Sequence, residues 1–152
     1  MEKYDILKLE NQLCFPLYAA AKEVVRHYKP FLDSLDLTYT QYIAMMVLWE
    51  ERESNVKDLG RRLFLDSGTL TPLLKKLEAK GYLERKRSDQ DERNLIVTVT
   101  ENGMKLRESA LAVPEKIGVC MQLSPEEAGT LYKILYKLLD SMEERTPAQD
   151  DQ

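Results

Sequence analysis

Cys14 and Cys120 are the two thiols of a 152-residue chain, and redox chemistry at sulfur is the reaction its side chains could best support. Cys14 stands in the run Leu13-Cys14-Phe15-Pro16-Leu17-Tyr18. A cysteine on a helix has two readings. It is a small apolar core residue, or it is a thiolate that a peroxide can oxidise. Pro16 disrupts the helical pattern and can leave backbone N–H groups of the following segment aimed at the sulfur. Such donors and a helix N-terminal dipole stabilise a thiolate. Tyr18, Tyr28 and Tyr39 could donate O–H bonds and, with Phe15, shape an apolar pocket for an alkyl peroxide. Cys120 lies among Gly118, Val119, Met121 and Leu123, a setting that suits an inert linker thiol or a second redox partner equally. The chain has no CxxC pair and one histidine, His27, so a structural zinc site or haem attachment is not expected, and no cofactor is.

A second constellation is basic. The net charge of −4 argues at first against a polyanionic partner, but the charge is unevenly spread. From Lys57 to Arg93 the local balance is +3, and the remainder carries −7. That separation suggests one face for an anion and an acidic, solvated remainder. Within the basic part, Ser67, Gly68, Thr69, Thr71 and Pro72 are small or polar residues able to meet base edges. Leu70, Leu73, Leu74 and Leu77 recur at helical spacing behind them. A major groove about 12 Å wide admits one such helix. Lys75 and Lys76 can reach phosphates further along. Arg85, Lys86, Arg87 and Arg93 could then reach phosphates or the narrow minor groove. Asp91 beside Arg93 could hold that arginine in one orientation through a charge-assisted bond.

The elements that must position these residues follow from periodicity and punctuation. Residues 5–29 carry an apolar helical stripe, with Pro16 expected to kink it or end a first short piece and Pro30 to close it. A turn spans 34–38. Helices are expected over 40–51, 56–63 and 69–80, the last capped by Asp66 or Ser67 and stopped by Gly81. The polar run 52–55 reads as a break. Residues 82–86 and 95–99 read as two strands of a hairpin with a charged tip. A long helix from Thr100 to about Pro114 follows, and then one over 124–144, opened by Ser124-Pro125-Glu126-Glu127. Cys120 would lie in the connection between those last two helices. The tail, 146–152, reads as disordered. The fold class is therefore mainly α with a small β-hairpin wing: a single domain, 1–152, with a winged helix-turn-helix lobe over 34–100. Apolar faces on 5–30 and 102–145 are suited to a helical layer between two subunits. No basic n-region precedes an apolar stretch and no apolar run approaches a membrane span, so the cytoplasm is the expected location.

The runs Leu65-Asp66-Ser67-Gly68-Thr69-Leu70-Thr71-Pro72-Leu73-Leu74-Lys75-Lys76-Leu77 and Asp89-Gln90-Asp91-Glu92-Arg93-Asn94 resemble the MarR family of bacterial winged-helix regulators. The Asp-x-Arg of the wing, Asp91 and Arg93, is that family's broad mark. The narrower run from Leu65 to Pro72, with Asn11-Gln12-Leu13-Cys14-Phe15, Tyr18, Tyr28 and Thr38-Tyr39-Thr40-Gln41-Tyr42, is similar to the organic-hydroperoxide-resistance subgroup and its staphylococcal thiol-sensing relatives. The likeness spans residues 5–145. It implies a homodimer on a pseudo-palindromic double-stranded DNA operator, Cys14 as the peroxidatic thiol, and Tyr28 and Tyr39 of the other subunit bonded to its sulfur. The subgroup has one type with a lone sensing cysteine and another with a distal resolving cysteine, near where Cys120 stands. Release of DNA on oxidation would fit a repressor.

Two other classes are open to these residues. An enzymatic thiol peroxidase would use Cys14 with turnover, but it lacks the expected Thr/Arg surroundings and leaves the basic lobe unexplained. A regulator that binds a lipophilic or phenolic ligand without thiol chemistry could use Phe15, Tyr18, Tyr28, Tyr39, Tyr42 and Trp49 as a lining.

Overall fold

The computed structural model describes residues 2–143. The tail 146–152, and the last residues of the segment 102–145, lie outside the described residues. Two compact units divide the chain, residues 1–117 and residues 118–152.

The chain enters through two short 3-10 turns, Asp5–Leu7 and Leu9–Asn11, and helix α1 then runs Cys14–Asp33. The sequence predicts one interrupted helix from residue 5 with its break at Pro16, but the break comes before Cys14. Pro16 sits in the first turn of α1, where its missing N–H has no helical acceptor to leave unpaired. Pro30 does not close the helix either: α1 continues to Asp33, and the proline sits inside it. Leu32, the buried residue of α1, anchors the end of the helix.

Asp36, at φ 53°, turns the chain into α2, Tyr39–Glu51. Thr38 opens α2 with a capping box. Its hydroxyl accepts the Gln41 N–H at 3.3 Å, and the Gln41 side chain accepts the Thr38 N–H at 3.0 Å. Helix α2 buries Tyr42, Ala44, Met45, Val47, Leu48 and Trp49, so it is the central helix of the core. Around it gather Leu59 of α3, Val56–Leu63, the leucines of α4, Ser67–Ala79, and Leu83 and Val97 of the sheet.

The polar run read as a break holds a strand, β1, Glu53–Asn55. With β2, Leu83–Arg87, and β3, Leu95–Val99, it forms an antiparallel sheet in the order β1-β3-β2. Ser54 and Arg85 both stand opposite Val97, which is fully buried. Gly81, at φ 81°, follows the last residues of α4 and lets the chain reverse into β2.

The single long helix expected over 100–114 is two helices. α5 runs Glu101–Ala110, capped by the Thr100 hydroxyl, and α6 runs Val113–Met121. Pro114 therefore opens a helix instead of ending one, and Cys120 lies within α6, not in a connection. Gly103 lets α5 approach the sheet closely. A β-carbon there would stand 2.1 Å from the Tyr82 carbonyl oxygen, and the Trp49 indole donates to the Gly103 carbonyl at 2.8 Å. In the second unit, α7 runs Pro125–Glu143, and Ser124 and Glu127 form the capping box that its opening residues predict.

Candidate nucleic-acid interface and thiol site

The helix-turn-helix is built from α3, a tight turn and α4. Asn55 caps α3 through the Lys57 N–H at 2.7 Å. Phe64 takes a left-handed conformation at φ 54°, and Leu65 N–H returns to the Gly60 carbonyl at 2.9 Å. A side chain at Gly60 would strike the Leu65 carbonyl, so the turn can close only over glycine. Of the two cap candidates for α4, Asp66 serves: its carboxylate accepts the Thr69 N–H at 2.7 Å.

Helix α4 divides its faces as the spacing predicts. Leu70, Leu73, Leu74 and Leu77 are buried. Ser67, Gly68, Thr69, Pro72, Lys75 and Lys76 are exposed, and Thr71 is half-buried. Lys75 follows Thr71 by one turn and shares its face. Lys76 instead lines a cleft with Asp33, Asp36, Leu37 and Lys80, turned toward the connection between α1 and α2.

The wing is the β2–β3 hairpin, and its tip is held by its own polar groups. Ser88 N–H bonds the Asn94 carbonyl at 2.7 Å, Asn94 N–H bonds the Asp91 carbonyl at 2.9 Å, and the Arg87 guanidinium donates to the Glu92 carbonyl at 2.8 Å. Asp91 orders the tip differently from the expected bond to the Arg93 guanidinium. Its carboxylate accepts the backbone N–H of Arg93 at 3.0 Å, which leaves the arginine head exposed. Lys86 and Arg87 are exposed as well. Arg85 differs from them: it is paired with Glu78 of α4, with Nη2 to Oε1 at 3.0 Å.

Sequence reasoning passed over three residues that brace this lobe. Glu78 is one. The others are Gln41 and Lys80. Lys80, just beyond α4, donates to the Asp36 carbonyl and to the Gln41 side chain. Gln41 is a buried polar residue in α2's first turn; its spacing from Thr38 is that of a capping box, a signal the sequence carried, whereas its bond to Lys80 had none.

The thiol residues fall into separate places. Cys14 is the first residue of α1 and is exposed. Phe15 is exposed beside it, and Tyr18, one turn on, is exposed with Lys22 Nζ 5.9 Å from its ring. Tyr28 and Tyr39 pack together with ring centroids 4.9 Å apart, and Tyr42 completes the cluster at 5.9 and 6.5 Å. Burial first, and the neighbouring Tyr39 and Tyr42 after it, push the Tyr28 hydroxyl up to about 12, so it stays an O–H donor. Fourteen residues separate Cys14 from Tyr28 on one helix, about 21 Å at the α-helical rise. One chain therefore joins Cys14 to Phe15 and Tyr18 but not to Tyr28 and Tyr39. Cys120 is exposed, in the second unit. Among the described residues no group of histidines, cysteines and carboxylates could hold a metal ion, and no helix is long and apolar enough to cross a membrane.

The family model described as transcriptional regulator SarA/Rot matches residues 26–109, from the second half of α1 to the end of α5. The chain is 46% identical over 143 residues to the organic hydroperoxide resistance transcriptional regulator of Bacillus subtilis, covering 94% of this chain and 97% of that one. The chain belongs to this family of winged-helix transcriptional regulators. It is 45% identical to the regulator SarZ of Staphylococcus haemolyticus, over 88% of this chain and 90% of that relative. Its fold is that of AbfR, a protein of Staphylococcus epidermidis. Reduced AbfR bound to DNA superposes with a TM-score of 0.74 at 37% identity, covering 93% of this chain and 99% of that one. Disulfide-formed AbfR superposes less closely, at 0.62 with 38% identity over 90% and 96% of the two chains. These relatives are regulators and not enzymes, which removes the thiol peroxidase reading.

Proposed function

We propose that this chain is a cytoplasmic, homodimeric repressor that binds a pseudo-palindromic DNA operator when reduced and leaves it when Cys14 is oxidised by an organic hydroperoxide. The observation that carries this reading is the division of α4. Its apolar face is locked into the core, while Ser67, Gly68, Thr69, Pro72 and Lys75 are exposed and Thr71 half-buried beside a wing with exposed Lys86, Arg87 and Arg93. A helix so held can enter a major groove end-on while the wing reaches the backbone or the adjacent minor groove. Lys76 lies at the margin of this basic surface, and Arg85 stands behind it, bonded to Glu78.

The sensing step follows from the exposed Cys14. Its thiolate attacks the distal oxygen of the hydroperoxide, and the O–O bond breaks. The sulfur becomes a sulfenic acid, and the alkoxide leaves and takes a proton as the alcohol. Tyr28 and Tyr39 of a second subunit supply the O–H donors that one chain holds about 21 Å from its own sulfur. Phe15 and Tyr18 line the approach. The Cys120 thiol of the partner subunit then displaces water from the sulfenic acid to form a disulfide. Closing two sulfurs to about 2 Å moves the helices that join the subunits. The two recognition helices must match half-sites about 34 Å apart, so a shift of a few ångströms releases the DNA. The relative named above has been seen reduced on DNA and with a disulfide formed, which supports this sequence of states.

The alternative of a small lipophilic ligand without thiol chemistry has less support. The clefts beside Tyr39 and beside Tyr42 and Trp49 hold 260 and 190 Å³, below the roughly 300 Å³ at which ligand pockets begin.

The test is operator binding before and after cumene hydroperoxide for wild type, Cys14→Ser and Cys120→Ser. Wild type should release the operator and recover it with dithiothreitol. Cys14→Ser should stay bound, and Cys120→Ser should lose the disulfide and its ready reversal. If Cys14→Ser still lets go of DNA on oxidation, the reading fails.

A further inference from the structure

The end of the recognition helix and the root of the wing share one polar joint. Both oxygens of Glu78 take part in it. Oε2 accepts the Arg85 backbone N–H at 2.8 Å, and Oε1 accepts Nη2 at 3.0 Å and Nε at 3.3 Å. These bonds, the backbone one first, hold the Glu78 carboxyl below its usual range. The Arg85 side chain is 20% exposed, whereas Lys86 and Arg87 beside it are open to solvent. Strand geometry gives the reason. Leu83 and Arg85 fall on one face of β2 and Glu84 and Lys86 on the other, and Leu83 is buried. Arg85 is thus turned toward α4 and away from the outer surface of the hairpin.

Glu78 adds a second observation. It lies seven residues after Thr71 and three after Lys75, on the side of α4 that carries the residues proposed to meet DNA. An unpaired carboxylate there would repel phosphates. Paired to Arg85 by a fork of bonds, it is neutralised and made into a link between two elements that must enter different grooves at once.

We propose that Glu78 and Arg85 form a strut that fixes the wing relative to the recognition helix, so that Arg85 is a positioning residue for DNA binding and not a phosphate contact. This rests on the DNA-binding reading above and adds to it. A braced wing arrives at the minor groove already placed. An unbraced one must be ordered when the complex forms, at a cost of about 0.5–1.5 kcal/mol per immobilised side chain, which is up to about a tenfold loss of affinity.

The probe is a duplex recovered from a randomised pool by the reduced full-length protein. Affinity is measured across a salt series for wild type, Glu78→Gln, Arg85→Lys, Arg85→Met and the double variant Glu78→Gln/Arg85→Met. A strut predicts that each single variant weakens binding by up to about tenfold per protomer while the salt slope stays at its wild-type value. It predicts that the double variant is no weaker than the worse single one, because both remove the same carboxylate–guanidinium pairing. It also predicts that Arg85→Lys behaves like Arg85→Met, since an ammonium cannot reproduce the fork. Hydroxyl-radical footprints should lose protection under the wing and keep it under α4, a change that a mere loss of stability would not give. The opposite pattern overturns the strut. There Arg85→Lys binds as wild type, Arg85→Met lowers the slope by about 0.9 per protomer, and Glu78→Gln tightens binding. Arg85→Lys and Glu78→Gln are close in size to the native residues, so the test survives if Arg85→Met folds poorly. A wild-type protein that selects no duplex at all overturns the DNA-binding reading and the strut together. A wild type that binds, with Arg85→Lys unchanged, overturns the strut alone.

Discussion

Replacing Lys75 with glutamine should have an effect that depends on salt in a calculable way. Lys75 is exposed and follows Thr71 by one turn on the outer face of α4. If it meets a phosphate, each protomer loses one contact, and a dimer loses two. Counterion release assigns a slope of about 0.9 per contact, so the log–log plot of affinity against salt should flatten by about 1.8. The same figure gives the loss in affinity. Extrapolated from 1 M, where the release term vanishes, it is about 60-fold at 0.1 M salt and about ninefold at 0.3 M. Fluorescence anisotropy with a labelled operator across that range reads both quantities. Lys76→Gln is the internal control, because Lys76 faces the cleft with Asp33 and Asp36 and should change the slope by much less than one unit per protomer. A Lys75→Gln protein whose slope matches wild type would refute the placement of Lys75 on the phosphate backbone. So would a larger effect at Lys76, which would mean that the wrong side of α4 has been turned to the DNA.

Other outcomes follow from the packing. Gly103→Ala puts a methyl group 2.1 Å from the Tyr82 carbonyl oxygen and 2.8 Å from Val99 Cγ2. Overpacking against backbone belongs at the upper end of a 1–3 kcal/mol range, so thermal denaturation should shift down by roughly 10 °C. At high pH the Tyr28 hydroxyl should report its burial. Its folded-state value, about 12, lies above the ordinary value of 10.0, so the folded chain holds the proton longer than the unfolded one. Its contribution to stability is complete below pH 10 and is lost as pH rises toward 12. Denaturant titrations of wild type and Tyr28→Phe should therefore diverge in that window, with the wild type falling faster.

The winged lobe was largely legible because its signals are strong and local. Leucines at helical spacing, Gly81 behind them and an alternating strand at 95–99 each admit one reading, and the cap ahead of them lay between two adjacent residues, Asp66 and Ser67. The prolines misled, since a proline in a first turn costs nothing and says where a helix begins as readily as where it stops. Pro16 and Pro114 are both of that kind. Strand β1 was hidden because Glu53, Ser54 and Asn55 carry no apolar alternation. What makes them a strand is the backbone of β3, which the local sequence does not contain. The bracing groups were hidden for a related reason. Arg85 looks like the basic residues around it until Leu83 fixes the face of the strand on which both lie. Glu78 reads as an ordinary acid until the hairpin folds back on it.

The long separation of Cys14 from Tyr28 along α1 has a consequence at the level of subunit mixing. Under the proposed reading the sensing half-site is drawn from two chains and has no single owner. A subunit lacking the thiol and a subunit lacking the tyrosine hydroxyl are each inert when paired with their own kind. Mixed together, they assemble one complete half-site and one doubly broken one. Under the proposed reading such a heterodimer regains a response that neither parent has, and a defective allele can be masked by a second defect in its partner.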